Sequence, residues 1–136
     1  MSYAVSAALQ KAVFQRLSGT PALTVLVGQA IYDAVPTGSL PETFVSLGAE
    51  QVQDASDQTG DGALHRIDVS VRTQRPGFAE AKAIAVAISD ALHNADLSLE
   101  RGRLVYLRFL RGEARRVDQS AGREVRLRFG ARVDDQ

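Results

Sequence analysis

The sequence predicts an α+β domain of two layers, an antiparallel four-stranded sheet covered on one face by two helices, in the order α-β-β-α-β-β. Three observations carry this. Segments 65–73 and 124–133 alternate apolar and polar residues with the period of two that a half-buried strand imposes. Segments 5–17 and 78–92 repeat apolar residues at helical spacing. Each pair of expected strands is separated by polar, glycine-containing runs with turn chemistry. A chain of 136 residues fits a single domain spanning 1–136, large enough to bury roughly two-thirds of its unfolded surface.

In the first helix Val5, Leu9, Val13 and Leu17 step by four, with Ala8 and Ala12 beside them, and the stripe stops near Gly19 and Pro21. Ile31 and Tyr32 fall in a connector that Pro36, Gly38 and Pro41 mark as loop. Phe44, Val45 and Leu47 make 43–52 a strand, with Gly48 at a bulge or bend. The run 54–62 holds three aspartates, two glycines and no large apolar residue, so it is expected as a mobile, exposed loop between paired strands.

In the next strand Ile67, Val69 and Val71 face the core, and Arg66, Asp68, Ser70 and Arg72 face water. Pro76 and Gly77 open the second helix, where Phe78, Ala81, Ile84, Ala85, Ile88 and Leu92 form one arc and Asn94 and Asp96 end it. Ala79, Ala83, Val86 and Ala87 lie off that arc. Helix propensity accounts for them, or they form a smooth strip for the first helix or a neighbouring subunit. Residues 104–110 and 124–133 are the last two strands, joined by turn chemistry at Asp118, Gln119, Ser120, Ala121 and Gly122.

Composition excludes more than it assigns. Sixteen basic and sixteen acidic residues cancel, so no overall field draws the chain to nucleic acid or anionic lipid. The absence of cysteine removes disulfides, thiolate metal sites and a thiol nucleophile. Neither a secretory signal nor a membrane span is legible, so a soluble protein made inside the cell is expected. His65 and His93, at a strand start and a helix end, lack ligand-spaced partners and are expected at the surface or a boundary. Asp54, Asp57 and Asp61 miss the ligand spacing of a calcium loop, and the acidic Gly60-Asp61-Gly62 would repel phosphate. With no nucleophile motif and no framed carboxylate pair, neither an enzyme nor a cofactor or metal site is expected.

Fourteen of the sixteen basic residues are arginine, and Arg111, Arg115, Arg116, Arg123, Arg126, Arg128 and Arg132 crowd the last quarter among Glu113, Asp118, Glu124, Asp134 and Asp135. This is either a solvated face of mixed charge or an interface that uses the forked guanidinium.

The series Ile31-Tyr32-Asp33, Pro36, Leu40-Pro41, Phe44-Val45-Ser46-Leu47-Gly48, the acidic loop, His65 with Ile67-Asp68-Val69-Ser70-Val71, Gly77-Phe78-Ala79-Glu80-Ala81 and Ala91-Leu92 resembles the tail completion or tail terminator family of long-tailed phages and gene transfer agents. The resemblance covers most of the chain, and from 104 to 133 it rests on pattern. It implies a virion tail protein, assembled in the bacterial cytoplasm as a sixfold ring on the tail tube. Such a ring stops tube growth, meets the head–tail connector or stopper protein, and lets DNA through its lumen without specific binding.

A closed ring needs two different complementary patches on each subunit. Arg66, Arg72, Arg126, Arg128 and Arg132 on the wet sheet face, and Asp54, Asp57 and Asp61 in the loop, are the expected opposites. Charge reversal at Arg126 and Arg128 is expected to weaken assembly and leave the monomer folded. A neck adaptor or stopper, or a small enzyme or ligand-binding module with a concave polar pocket, is the alternative.

Overall fold

The structure, a computed structural model, describes residues 3–58, 60–117 and 122–135. A 3-10 turn (Tyr3–Val5) leads into α1 (Ser6–Ser18) and α2 (Pro21–Val27), followed by β1 (Ile31–Tyr32), β2 (Thr43–Asp54), β3 (Gly62–Thr73), α3 (Ala79–Leu92), β4 (Arg103–Arg116) and β5 (Arg123–Asp134). The strands form one sheet in the order β1-β2-β3-β5-β4. The α+β class holds, but the sheet has five strands and is not wholly antiparallel, because β1 pairs parallel to β2 through Ile31↔Val45 and Tyr32↔Ser46. A two-residue strand leaves no periodicity to read.

Nor are there only two helices. Pro21, expected as a stop, also starts α2. Proline is tolerated at a helix's first position, where its missing N–H would have no partner anyway. Gly28, at φ 61°, ends this short helix.

The apolar stripes bury as their spacing demands. Val5, Leu9, Val13 and Leu17 have no exposed surface, and Ala81, Ile84, Ala85, Ile88 and Leu92 carry α3 onto the sheet. Of the second strip on α3, Ala87 is buried, while Ala79, Ala83 and Val86 remain exposed. α3 touches α1 and α2 as well as β3, β4 and β5. The core lies between this helical layer and Val45, Val69, Val71, Leu107, Val125, Leu127, Phe129, Ala131 and Val133.

β4 runs past the expected end at 110 to Arg116, paired with β5 as far as Arg116↔Arg123. Its apolar pattern stops because residues 108–116 are exposed on both faces. Register shifts at Leu104/Tyr106 and Phe109/Arg111 further break the alternation. The expected bulge near Gly48 is present between Leu47 and Glu50. The turn read from Asp118, Gln119, Ser120 and Ala121 lies outside the described residues.

Two expectations about polar residues are corrected. His65 is fully buried, not superficial, with Nδ1 3.1 Å from Glu50 Oε2. Strand alternation buries His65 in phase with Ile67, Val69 and Val71, and the β2 bulge turns Glu50 to the same helix side, opposite Ile67 and two residues from His65's own partner, Val52. Asp68 and Ser70 are buried although they stand on the sheet's open face. Asp54, Ser56, Asp57, Gln58 and Asp61 are exposed in the acidic loop, and backbone bonds brace it: Ala55 N donates to Gly62 O at 2.9 Å, and Asp57 N to Gly60 O at 3.0 Å. No described helix is long and apolar enough to cross a membrane.

Candidate functional site

The sheet face away from the helices is open, and alternation places Arg66, Asp68, Ser70 and Arg72 of β3 there beside Glu124, Arg126, Arg128 and Arg132 of β5. Antiparallel register sets Asp68 directly opposite Arg128 and Arg72 opposite Glu124. Each carboxylate is thereby roofed by guanidinium groups.

Glu124, with a side chain only 4% exposed, accepts from Arg115 Nε at 3.0 Å, Arg72 Nε at 3.2 Å and Arg126 Nη2 at 3.4 Å. Asp68 accepts from Arg128 Nε at 3.0 Å and Nη2 at 3.4 Å. Hydrogen bonding to Asp68, reinforced by its charge, holds the Arg128 guanidinium above its usual pKa. The result is a lattice of fixed arginines whose outer edges face solvent. A depression of about 90 Å³ lies among Asp68, Arg111, Glu113, Arg126 and Arg128.

The remaining expected residues lie apart. Arg132 turns to the end of the sheet, where Nη2 donates to Ala55 O at 2.9 Å, so it supports the acidic loop through backbone rather than through a carboxylate. Asp54 accepts from Ser56 Oγ at 2.7 Å, Asp57 accepts from Gly60 N at 3.1 Å, and Asp61 receives Asp135 N on its carbonyl at 2.9 Å. These three aspartates form an acidic end and do not approach Arg72, Arg126 or Arg128 within one chain. Arg66 is exposed, opposite Gly130, with no ionic partner among the described residues.

Sequence reasoning missed that Glu124 and Asp68 organise the arginines. It also missed Arg115, which reaches Glu124 only because β4 continues beyond 110. The available signal was an isolated acid on each alternating arginine strand.

The geometry argues against nucleophilic chemistry at the one Ser-Glu-His cluster. Ser6 Oγ donates to Glu50 Oε1 at 2.6 Å, and His65 Nδ1 lies on the other oxygen of the same carboxylate. A catalytic relay puts the histidine between acid and hydroxyl. Here the acid is in the middle, and the ring is sealed in the core with Nε2 unpartnered. Two concavities of about 710 and 560 Å³ lie along the flank of α1 and α2. The larger contains one lysine and one aspartate, Lys11 and Asp33, among Tyr3, Ala4, Ala7 and Phe14. Among the described residues no group of three potential metal ligands occurs.

Residues 11–134 match the family described as tail completion protein gp17. No curated protein matches the chain. Among solved structures, a chain in one described as the virion of a native gene transfer agent (GTA) particle is 58% identical. The match covers 98% of this chain and 99% of that one, with a TM-score of 0.93.

Proposed function

The chain belongs to the tail completion protein gp17 family, and on that premise we propose that it is a structural protein of a tailed, phage-like particle, acting as a ring at the head-proximal end of the tail tube. In this reading six copies close head to tail, end tube polymerisation and present a surface to the head–tail connector. The observation that carries it is the nearly end-to-end likeness to a chain of a gene transfer agent virion.

The open sheet face suits such a role. Its arginines are already held by Asp68 and Glu124, so docking a partner costs little side-chain entropy. Arg66, Arg72, Arg126, Arg128 and Arg132, together with Asp54, Asp57 and Asp61, are the proposed contacts with the tail tube protein, the connector or a neighbouring copy. The chain acts without catalysis or cofactor. Zero net charge accords with DNA passing through the lumen without specific binding.

The test is electron microscopy of particles made without this chain. Overlong tubes support termination. Tubes of normal length that fail to join heads would assign the chain instead to a neck adaptor or stopper, and unaltered particles would refute both.

A further inference from the structure

The two edges of the sheet carry opposite charge. β4, one edge, holds Arg103, Arg108, Arg111, Arg115 and Arg116 against the single Glu113, a net of +4. The other edge, 31–54, comprises β1, the linker and β2. It holds Asp33, Glu42, Glu50 and Asp54 and no base, a net of −4. Internal pairing does not erase the difference. Among the described residues Arg108 and Arg116 have no carboxylate partner, and Arg111 reaches only Glu113 at 3.8 Å. On the far edge Asp33 meets only the Gln10 amide, and Asp54 only Ser56.

Apolar exposure divides between the same two sides. On the β4 side, Phe109 is 39% and Val86 58% exposed across a groove they share with Lys82, Ala85, Ser89 and Leu127, and Val105 and Leu110 are exposed along the strand. On the other side the exposed apolar residues are Val35 and Leu40 in the linker and Val25 and Leu26 on α2, beside the concavities of α1 and α2. β4 is unpaired along its outer edge, and β2 is covered by β1 only at Val45 and Ser46.

We propose that the β4 edge of one copy docks on the β1–β2 edge of the next, β4's arginines meeting Asp33 and Asp54 and its apolar residues entering the α1–α2 flank. The occupant is a second copy of this chain, and charge selects the orientation. Two β4 edges would set Arg108, Arg111 and Arg116 against their own copies, and two β1–β2 edges Asp33 and Asp54 against theirs, so symmetric pairing sets like charge against like and head-to-tail contact is complementary. Contacts of that kind form a ring when the rotation between copies closes. The proposal rests on the ring reading above and names the surfaces that make it.

The experiment measures the mass of the full chain against concentration for three proteins: wild type, Arg108→Glu with Arg111→Glu, and Asp33→Arg with Asp54→Arg, each checked for folding by circular dichroism. Each double variant brings the net charge of its changed edge to zero and reverses the contact positions, so the first sets acid against Asp33 and Asp54 and the second sets base against Arg108 and Arg111. Each alone should remain a single chain at concentrations at least about tenfold above those at which wild type assembles. Mixed in equal amounts they should recover wild-type mass, because alternating copies restore complementarity at every contact.

Either variant assembling alone like wild type would overturn the docking and leave the ring standing. Two folded, monomeric variants that fail to rescue each other would also overturn it. A wild-type chain that stays single at every concentration and on tail tubes would remove the ring reading with it.

Discussion

Arg128 and Asp68 stand opposite each other on β5 and β3, with Nε 3.0 Å from Oδ1 and Nη2 3.4 Å from Oδ2. The carboxylate is 7% exposed and the guanidinium 32%, so a charge on an uncovered sheet face is nonetheless shielded from water. The pair ties two central strands together and fixes an arginine fork in place for a partner.

This relationship changes what charge reversal does. Arg128→Glu sets a second carboxylate against buried Asp68, so a lower melting temperature is expected, and the exchange of Asp68→Arg with Arg128→Asp should recover part of the loss. The Arg126 and Arg128 double reversal is therefore expected to lower the melting temperature of the monomer even where the monomer stays folded. Arg66→Glu, without an ionic partner among the described residues, is the cleaner surface probe. Thermal melts of the four variants beside wild type decide this, and an Arg128→Glu melt equal to wild type would contradict it.

Glu124→Gln removes the charge that three arginines share. The amide keeps the shape but leaves Arg72, Arg115 and Arg126 with a weaker acceptor, and a loss of about 1–3 kcal/mol is expected. Urea unfolding with an unchanged slope would measure it. A midpoint equal to wild type would show that water replaces the carboxylate at no cost.

Gly102 is at φ 75°, and an added Cβ would lie 2.6 Å from the Asp134 carbonyl oxygen and 2.9 Å from a Val5 methyl. Gly102→Ala should cost about 1–3 kcal/mol, from both backbone strain and overlap. Gly38→Ala is the control: φ is 90°, but nothing lies within 4 Å, so only the backbone term remains. Equal melts for the two variants would remove the steric argument.

Hydrogen bonding from Arg101, whose Nε and Nη2 lie 3.0 Å from the two Asp135 oxygens, holds that carboxyl below its ordinary value of 3.8. A carboxylate whose folded pKa is depressed stabilises the fold fully above its unfolded pKa, and this contribution disappears as pH falls through the folded value. The melting-temperature gap between wild type and Asp135→Asn should therefore be present near pH 7 and close below the ordinary carboxylate range. A gap that persists at about pH 2 would mean the pair contributes by packing instead.

The long elements were legible because their residues repeat over many positions. Val5 to Leu17 and Phe78 to Leu92 keep helical spacing, and 65–73 and 124–133 keep strand alternation, since each packs one continuous face on one core. Elements that bury little left no such record. β1 is held by two residues, α2 buries only Leu23, and the outer half of β4 buries nothing.

The candidate site divides the same way. That arginines line one sheet face follows from alternation alone, because a strand cannot place neighbouring side chains on the same side. Which of them are paired depends on register between strands far apart in the chain: Asp68 meets Arg128 across sixty positions, and Arg72 meets Glu124 across fifty-two. The sequence by itself determined the core stripes, the charge inventory and the face that the arginines of β3 and β5 occupy, all of which arise within one element. Tertiary structure alone decided the pairing of His65 with Glu50, the burial of Asp68 and Glu124 and the separation of opposite charges to the two sheet edges, because burial of open-face residues and edge position depend on which strands become neighbours.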